Sequence, residues 1–500
     1  MMVENWVASL STASFFSWLS GWSGVVSIVY FLTILFTVVI VVLDKKSPTS
    51  ATLWITVLVL LPVVGLVLYI FFGRNFRHRP LLDRKEAINL AYVDSRIAPF
   101  AVPLTLGSKK PYLVNRKIHV ARLLVNNNRS PVFLGNDITT YHHGRDAFPA
   151  LLEDIRNAKR YIHMEYYIIE SDRIGNEIAD ALIERAENGV EVRLIYDDVG
   201  SFALPKRYKR RLKAAGVQVY PFEKVRFPLF ATRINYRNHR KITVIDGTIG
   251  HMGGMNIADK YIEGDLKLGA WRDTQIRMLG PAVTALHGVF LSDWKFVTKG
   301  EDLNMYDFMP SVVQVCDANI PVQIAASGPD SDWESIMQAF FLAISRAKKY
   351  IYITTPYFIP NESILTALRA ATLSGVDVEI LLPYKSDVVT VLWATRSYVG
   401  SLLDAGISVY FFKAGFNHSK IMMIDGELAA VGSANMDIRS FEDHFEVASF
   451  IYDREVTRDL EMQFRRDVME SHLVTREEWN NRGFMDRFKN GVARLFSPLF

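Results

Sequence analysis

Two short segments of the chain carry side chains that could perform nucleophilic and acid–base chemistry. HRKITVID begins at His239 and HSKIMMID begins at His418, and each reads His, one residue, Lys, four residues, Asp. An imidazole can attack an electrophile or move a proton near neutral pH, and a lysine ammonium attracts oxyanions. A single copy would arise easily by chance. Two copies in matching surroundings predict one site to which both segments contribute.

The order of residues within each segment separates them by face. Side chains alternate between the two faces of a strand, so the histidine and the lysine of each copy lie on the same face. The aspartate falls on the opposite parity from the histidine. We therefore expect the aspartate to support the motif from nearby and not to touch a substrate. The candidate catalytic residues are His239, Lys241, Asp246, His418, Lys420 and Asp425.

The residues that follow the two segments also match. An asparagine follows each histidine at the same distance, 17 residues, and a small residue lies two positions before each asparagine. A carboxylate comes next, in WRDTQIRMLG of the first copy and in FEVASFIYD of the second. Gly254 stands where the second copy has Ser433, so the first copy lacks that hydroxyl. We predict that Asn256, Ser433 and Asn435 bind substrate and that Asp273, Glu446 and Gly254 support the site.

Two histidines, two lysines and two asparagines would form a positive pocket rich in N–H donors, which suits a phosphate diester. One imidazole can attack phosphorus while the other protonates the leaving oxygen, and a carboxylate on the far ring nitrogen fixes the tautomer. The pattern has no His-x-x-x-His or clustered cysteines, and lysine is a poor metal ligand. We therefore expect neither a metal ion nor another cofactor.

The two segments belong to a longer internal repeat. ALLEDIRNAKRYIHMEYYII starts at Ala150 and AFFLAISRAKKYIYITTPYFI starts at Ala339, and each reads as an amphipathic helix followed by an apolar strand. A helix, a strand and another helix follow in each half before the His-x-Lys strand. This alternation predicts an α/β fold with two tandem domains, each a mixed sheet flanked by helices, related by a pseudo-twofold axis.

The first part of the chain has the composition of membrane-spanning helices. Residues 24–43 and 53–72 contain no charged side chain, and each run has the ~20 residues that an α-helix needs to cross the hydrocarbon core. DKKSPTSAT between them predicts a tight polar turn, and hence a transmembrane hairpin. More lysine and arginine residues follow the second run than lie in the turn between the two runs. The positive-inside rule therefore places the rest of this multi-pass membrane protein in the cytoplasm.

The predicted organisation has seven parts. They are an N-terminal interfacial segment at 1–22, the hairpin at 23–75, a juxtamembrane connecting region at 76–130, a first α/β domain at 131–300, a linker at 301–320, a second α/β domain at 321–482 and an amphipathic tail at 483–500. In the tail, apolar residues recur at helical spacing beside basic residues, which predicts a helix on an anionic membrane surface. Packing of that helix on the protein's own surface is the alternative. The apolar positions are Phe484, Phe488, Val492, Leu495 and Leu499.

Composition limits the remaining possibilities. Half of the residues are hydrophobic and the formal net charge is only +4, so the balance of charge gives no indication of a nucleic-acid partner. Cys316 is the only cysteine. An internal disulfide is therefore impossible, which fits a reducing compartment for most of the chain.

At these residues the chain resembles the phospholipase D superfamily, in which two H-x-K-x4-D motifs build one active site. In its detailed sequence the chain is similar to the bacterial cardiolipin synthase family, and the resemblance covers nearly the whole chain, including the hairpin. The stretches that carry it are EYYII from Glu165, YRNHRKITVIDG from Tyr236, GGMNIADKY from Gly253, WRDT from Trp271, FNHSKIMMIDG from Phe416 and VGSANMDIRSF from Val431.

The resemblance implies a metal-independent phosphatidyl transfer in two steps at a bacterial plasma membrane. One phosphatidylglycerol would give its phosphatidyl group to a histidine and release glycerol, and a second would attack through its free hydroxyl to give cardiolipin. The expected partners are phosphatidylglycerol and anionic membrane lipids. Family tendency implies that His239 is the nucleophile and His418 the general acid and base. The shared site and the family arrangement also predict carboxylates paired across the repeats, Glu446 with His239 and Asp273 with His418.

Three other functions stay open at this point. A related enzyme could use another alcohol or water as the acceptor, and the pocket residues do not exclude it. A nuclease of the same superfamily would act on DNA or RNA, but the near-neutral charge and the two apolar runs weigh against it. A non-enzymatic membrane scaffold would not need two complete motifs.

Overall fold

The structure, a computed structural model, describes residues 48–61, 98–102, 104, 112–224, 236–300, 303, 305–310 and 313–497, with eight isolated positions between 32 and 69. The chain divides into two compact units. One comprises Met1–Phe76 and Arg226–Asn235, and the other comprises Arg77–Val225 and Tyr236–Phe500.

In the first unit, the described helix is α1, Pro48–Leu60. It begins inside DKKSPTSAT, so the predicted polar turn is too long by five residues. Proline suits the first turn of a helix because the N–H that it lacks would have no partner there. Within the described residues, no helix is long and apolar enough to span a bilayer. The predicted span 24–43 and the stretch 62–72 lie outside the described residues, apart from isolated positions, and the hairpin stays a prediction.

The second unit is built on one 15-stranded sheet, whose order is β19-β13-β12-β10-β15-β16-β18-β9-β1-β8-β6-β5-β2-β3-β4. Two pairs of short strands lie outside it, β11 with β17 and β14 with β7. The strands are β1 Val132–Tyr141, β2 Tyr161–Tyr166, β3 Glu191–Asp197, β4 Gln218–Phe222, β5 Lys241–Ile245, β6 Ile249–Gly253, β7 Ala270–Arg272, β8 Gln275–Leu279, β9 Ile320–Ser327, β10 Tyr350–Thr354, β11 Phe358–Ile359, β12 Asp377–Pro383, β13 Ser408–Phe412, β14 Gly415–Asn417, β15 Ile421–Ile424, β16 Leu428–Gly432, β17 Met436–Asp437, β18 Glu446–Ile451 and β19 Ser471–Leu473.

The strand order repeats on the two sides of the sheet's centre. β1 pairs with β9 in antiparallel fashion, and from that seam the order β8-β6-β5-β2-β3-β4 on one side matches β18-β16-β15-β10-β12-β13 on the other. The outer strands of each half, β2 with β3 and β10 with β12, are parallel, while the inner ladders are antiparallel. This arrangement confirms the predicted α/β fold with two repeats of mixed sheet.

Amphipathic helices pack on the sheet, and one large apolar core lies in each half. Helix α8, Ala282–Val297, is buried along most of its length. A 3₁₀ turn, Ala98–Phe100, precedes these helices. The helices are α2 Tyr112–Arg116, α3 Ile118–Asn128, α4 Gly144–Arg156, α5 Arg173–Glu187, α6 Lys206–Ala214, α7 Lys260–Glu263, α8 Ala282–Val297, α9 Met305–Phe308, α10 Ser335–Ser345, α11 Glu362–Leu373, α12 Val389–Asp404, α13 Ile438–Glu442, α14 Arg454–Met469, α15 Arg476–Asn480 and α16 Phe484–Leu495.

Two terminal regions pack onto the second half. Helix α3, within the predicted connecting region, buries Val120 and Leu124 in the core of that half. The predicted tail forms helix α16, which packs along α12: Lys489 Nζ lies 5.7 Å from the ring centroid of Trp393, and Arg494 Cζ lies 4.9 Å from that of Tyr398. The tail's predicted helix is confirmed. It packs on the protein by one face and leaves its apolar face exposed.

Candidate active site

Both motif histidines lie outside the strands predicted to contain them. β5 begins at Lys241 and β15 at Ile421. The predicted strands are therefore correct for the apolar core residues and wrong for the two histidines. The backbone N–H of His239 donates to Phe445 O at 3.0 Å, and that of His418 donates to Arg272 O at 2.6 Å. Each histidine therefore leaves its own ladder because its backbone is bonded to the opposite half.

An asparagine before each histidine shapes this departure, and it escaped the sequence analysis. Asn238 Oδ1 accepts from the backbone N–H two residues on, at 3.1 Å, and Asn417 Oδ1 does the same, also at 3.1 Å. Such a bond holds the chain in a tight local turn. The amide of Asn238 also donates to Glu165, and that of Asn417 donates to Asp467 at 3.0 Å. The repeated Asn-His-x-Lys was the available signal.

The two carboxylates reach across the halves, as predicted. His239 Nδ1 lies 2.9 Å from Glu446 Oε1, and His418 Nδ1 lies 2.7 Å from Asp273 Oδ2. Both carboxylates are completely buried. A carboxylate on Nδ1 holds that nitrogen as the N–H donor. Nε2 of each ring is therefore the nitrogen left for substrate, and the pairing prediction is confirmed.

The glycine that replaces serine in the first half is required by its neighbour. Ser433 Oγ donates to Glu446 Oε2 and accepts from the backbone N–H of Val447 at 3.0 Å. A Cβ added at Gly254, the equivalent position, would lie 2.1 Å from Asp273 Oδ1. The aspartate carboxylate therefore occupies the space that the serine side chain fills in the other half.

The two lysines bring ammonium groups into the same pocket. Lys241 Nζ donates to His239 O at 2.5 Å, and Lys420 Nζ donates to His418 O and lies 3.7 Å from Asp273 Oδ2. Burial lowers the pKa of Lys241 to about 7 and also lowers that of Lys420. Each ammonium has further N–H donors that a phosphate could take.

The surroundings keep both imidazoles neutral at pH 7. Burial lowers the pKa of His239 to about 4, against the pull of Glu446, and holds the pKa of His418 well below its usual range. The lysine of the same motif lowers the pKa of each histidine further, and the lysine of the opposite half adds to this. Both histidines therefore share one electrostatic environment, and a neutral imidazole is the form that can attack phosphorus.

The two carboxylates differ in charge state. Burial raises the pKa of Asp273 to about 6, although Lys420 opposes it. Burial also acts on Glu446, but the imidazoles of His239 and His444 hold its pKa well below the usual range. Glu446 is therefore ionised at any pH near neutrality, whereas Asp273 takes up a proton just below it.

The motif aspartates lie at the far ends of β5 and β15, away from the imidazoles. Asp246 accepts from the backbone N–H groups of Lys159 and Arg160, both at 2.8 Å. Asp425 accepts from Lys349 N at 2.7 Å and from Lys117 Nζ at 2.6 Å. They anchor the turns before β2 and β10, as expected of supporting residues. In this position the two aspartates make no direct catalytic contact.

The two asparagines predicted to bind substrate are placed differently. Asn256 accepts from Ile168 N and donates to the Tyr261 hydroxyl, both at 3.0 Å, so its amide is largely used within the protein. The side-chain oxygen of Asn435 is buried and has no hydrogen-bond partner among the described residues. The structure thus favours Asn435 over Asn256 as a substrate ligand.

A third imidazole lies beside the first motif and was missed from the sequence. The ring of His444 is 5.5 Å from that of His239, and its Nδ1 lies 3.8 Å from Glu446 Oε1. Both of its ring nitrogens are buried without a hydrogen-bond partner in the described chain. The equivalent residue of the first half is Trp271, whose ring centroid is 5.7 Å from that of His418. The signal was a second histidine two positions before Glu446.

One group of described residues has the spacing of a metal site. Ligand atoms of His239, His444 and Glu446 lie within 4.8 Å of one another. Two imidazoles and a carboxylate suit zinc, but the ammonium groups of Lys241 and Lys420 in the same pocket oppose a dication. That the enzyme works without a metal stays a prediction.

Fold and site together define a phospholipase D-like enzyme, in which two repeats supply one histidine–lysine pair each to a common centre. The family model described as "Cardiolipin synthase, PLD-like domain" matches residues 151–294 and 341–468, and one described as "Phospholipase_D-nuclease N-terminal" matches 31–74. The chain belongs to the cardiolipin synthase family of phosphatidyltransferases.

Individual proteins agree with this assignment. A cardiolipin synthase of Oceanobacillus iheyensis is 40% identical over 472 residues, which cover 94% of this chain and 98% of that protein. One from Geobacillus kaustophilus is 39% identical over 481 residues, covering 95% and 94%. A crystal structure of phosphatidylserine synthase from Haemophilus influenzae has the same fold, with a TM-score of 0.58 at 13% identity, over 76% of this chain and 98% of that one.

Proposed function

We propose that the protein joins two phosphatidylglycerol molecules into cardiolipin and glycerol through a phosphatidyl-histidine. The observation that carries the proposal is the pair of buried imidazoles, each held at Nδ1 by a carboxylate of the opposite half and flanked by lysine ammonium groups. This arrangement supplies a nucleophile, a proton carrier and a phosphate cradle in one pocket.

In the first step, Nε2 of His239 attacks the phosphorus of one phosphatidylglycerol. The P–N bond forms as the bond between phosphorus and the glycerol oxygen breaks, and His418 gives its proton to that oxygen. Burial and, after it, the lysine ammonium groups hold the pKa of His418 down. The negative charge of the substrate opposes this effect, so bound substrate favours the protonated ring. Glu446 stabilises the positive charge that develops on His239.

In the second step, His418 removes the proton from a free glycerol hydroxyl of a second phosphatidylglycerol. That oxygen attacks phosphorus, and the P–N bond breaks with its electron pair returning to His239. His418 thereby regains the proton that it gave in the first step, so the overall transfer needs no net proton. Lys241 and Lys420 hold the non-bridging oxygens in both steps, and the side-chain oxygen of Asn435 accepts a hydrogen bond from a glycerol hydroxyl. Water must be kept out, because it would compete as the acceptor.

The membrane arrangement belongs to the same proposal. Two apolar runs, 24–43 and 53–72, would anchor the enzyme in a bacterial plasma membrane with both α/β domains on the cytoplasmic side. The exposed apolar face of α16, which includes Phe484 and Phe488, supports a tail that lies on the membrane surface beside basic residues.

Product analysis with the purified full chain tests the function. Supplied with phosphatidylglycerol alone, the enzyme should release cardiolipin and glycerol in equal amounts. Phosphatidic acid as the main product would indicate a hydrolase, and a faster transfer to an added alcohol such as serine would indicate another acceptor. Cleavage of single- or double-stranded DNA without lipid turnover would contradict the proposal altogether.

A further inference from the structure

We propose that three loops around the catalytic pocket dock this enzyme onto an anionic lipid bilayer, so that substrate passes directly from the membrane to the histidines. These loops, residues 198–205, 264–269 and 384–388, are called the rim here. The inference rests on the proposed function because it names the surface from which that site takes its lipid. It concerns the catalytic unit itself and is separate from the predicted hairpin.

Two rim loops are bonded to aromatic residues beside the motif histidines. In loop 198–205, the hydroxyl of Ser201 donates to the backbone oxygen of Tyr167 at 3.0 Å, and the Tyr167 ring is 5.0 Å from that of His239. In loop 384–388, Asp387 accepts from the hydroxyl of Tyr357 at 2.7 Å. The Tyr357 ring in turn lies 6.2 Å from that of His418. Both loops therefore border the pocket.

The third rim loop, 264–269, joins α7 to β7. Lys260 of α7 lies over the ring of Trp271, with Nζ 4.5 Å from the centroid, and that ring adjoins His418. The loop therefore borders the pocket from the side of the second motif. Its length also distinguishes the halves, because the corresponding segment of the second half is shorter by six residues.

Each rim loop, or the residue directly after it, presents an apolar side chain to solvent. Phe202 is 88% exposed, Leu266 is fully exposed, and Val389, which follows the third loop, is 54% exposed. Grouped apolar exposure of this kind indicates an interaction site and not ordinary surface. Three such residues around one lipid-handling pocket require a common apolar partner.

Basic residues accompany these apolar tips. Helix α6, KRYKRRLKA, follows the first loop directly and carries six basic side chains among nine residues. Lys267 adjoins Leu266, and Lys385 lies in the third loop. Each rim loop also carries one acidic residue, so the excess of positive charge comes from α6; the acidic residues are Asp198, Asp265 and Asp387. Apolar insertion points beside lysine and arginine match the interface of a bilayer with anionic headgroups, which attract nearby basic residues. The positive charge of α6 beside the exposed apolar tips favours an anionic membrane as the occupant.

The tail helix extends the same surface. Lys489 of α16 lies over Trp393 of α12, one turn after Val389, so the beginning of α16 lies near the third rim loop. Phe484 and Phe488, at that end, are both exposed. The exposed apolar side of the tail therefore adjoins the third rim loop.

This docking explains how buried histidines reach a two-chain lipid. Less than a tenth of either imidazole side chain is exposed, 9% for His239 and 8% for His418. A rim inserted among the headgroups would let the phosphate enter the pocket while the acyl chains stay in an apolar phase. Extraction of the lipid into water would otherwise expose its acyl chains, which is unfavourable for each CH₂ group.

Site-specific fluorescence on the full chain tests the depth of the rim. In a Cys316→Ser background, Phe202→Cys, Leu266→Cys and Val389→Cys are each labelled with an environment-sensitive dye and reconstituted in vesicles of phosphatidylglycerol and phosphatidylethanolamine. The matched control is Leu373→Cys, because Leu373 is 78% exposed and ends α11, just before the opposite end of β12. The three rim dyes should shift to the blue and be quenched by brominated lipid, and the control dye should not.

Two results would overturn the docking surface. One is equal quenching at the rim and at Leu373, which is the result of general adsorption. The other is protection of the rim dyes from a water-soluble quencher without quenching by lipid, as contact with a second copy of the chain would give. Neither readout depends on catalysis, so loss of cardiolipin synthesis would count against the proposed function and leave the docking result intact.

A kinetic comparison sharpens the test. The ratio of activity on vesicle phosphatidylglycerol to activity on monomeric short-chain phosphatidylglycerol should fall at least ten-fold in Phe202→Ser/Leu266→Ser/Val389→Ser. The ratio should be unchanged in Leu373→Ser. An unchanged ratio in the triple variant would contradict delivery of substrate through the rim.

Discussion

The two halves of the pocket repeat one backbone arrangement but support their histidines differently. His239 is held by Glu446, which has a serine hydroxyl on one side and a third imidazole, His444, on the other. His418 is held by Asp273, which fills the space of the absent serine side chain and has Lys420 beside it. The same duplication has therefore produced two chemically different sites.

The difference between the two carboxylates indicates which histidine is suited to attack phosphorus and which to carry a proton. Glu446 stays ionised, so it can always stabilise the positive ring that forms when His239 binds phosphorus. Asp273, with a pKa of about 6, adjusts its charge within the working range and accompanies a histidine that must gain and lose a proton. This supports the proposed roles of His239 as nucleophile and His418 as proton carrier.

The largest effect should come from removing the charge of either carboxylate. Glu446→Gln and Asp273→Asn should each lower kcat by roughly 10³–10⁴-fold at pH 8, because the imidazole loses both its fixed tautomer and its counter-charge. Steady-state kinetics from pH 5 to 8 would distinguish them. Below pH 6 the wild-type Asp273 is itself mostly protonated, so the loss caused by Asp273→Asn should shrink, while that caused by Glu446→Gln should not.

The pH profile of the wild-type enzyme tests the same difference between the carboxylates. The wild-type rate should fall as the pH drops through about 6, since the raised pKa of Asp273 means that its carboxylate is ionised only above that value. An Asp273→Asn penalty that is the same at pH 5.5 and pH 8 would show that the two carboxylates do not differ in this way.

Stability should also differ between the halves. The residue between His and Lys is Arg240 in the first half, where it is fully buried and donates to Asp293, and Ser419 in the second. Arg240→Ser should destabilise the protein by about 3–5 kcal/mol, because it leaves a buried carboxylate without its cation. Thermal unfolding of the detergent-solubilised chain would show a midpoint lower by several degrees. The double variant Arg240→Ser/Asp293→Asn should recover part of the lost stability. No recovery would mean that the destabilisation does not come from loss of the Arg240–Asp293 ion pair.

Exchanging the small residues beside the carboxylates tests the steric side of the comparison. Ser433→Ala removes a hydrogen bond to a charged group, which is worth about 1.5–3 kcal/mol, and should slow turnover at least ten-fold. Gly254→Ser should cost more, at least a hundred-fold, because its Cβ would displace Asp273. Gly254→Ala, which adds only the Cβ, should match Gly254→Ser. Normal turnover in Gly254→Ala would mean that Asp273 can move without consequence.

The smallest effect should come from the rings that flank the histidines. Trp271 beside His418 shows that this position can hold a ring without catalytic nitrogens. His444→Phe should therefore lower kcat by less than about ten-fold while His444→Ala, which leaves a gap beside Glu446, should cost more. A hundred-fold loss in His444→Phe would make the third imidazole a catalytic group and would break the equivalence with Trp271.

Much of the site could be predicted because duplication aligns the two halves in the sequence. The shared site and the family resemblance placed Asp273 and Glu446 on the opposite histidines, and the alternation of helices and strands predicted the two-repeat sheet. The parity of strand residues also placed Asp246 and Asp425 away from the imidazoles, where they hold the turns before β2 and β10.

The rest depends on contacts between residues far apart in the chain. His239 and His418 leave their strands because each is bonded to backbone of the other half, more than 140 residues away. No periodicity within one segment reports such a bond. His444 was missed for the same reason, since its role depends on Glu446 lying next to it in space. The contacts of the Asn256 amide with Tyr261 and Ile168 are likewise not visible in the sequence.

Mapping the covalent intermediate tests the central assignment most directly. His418→Ala and His239→Ala are each incubated with a phosphatidyl ester whose leaving group needs no proton, and the adduct is located by mass spectrometry of peptides. His418→Ala should load a phosphatidyl group onto His239 and then stall, since no base activates the acceptor, and His239→Ala should form no adduct. A phosphatidyl group found on His418 in His239→Ala would reverse the roles of the two halves.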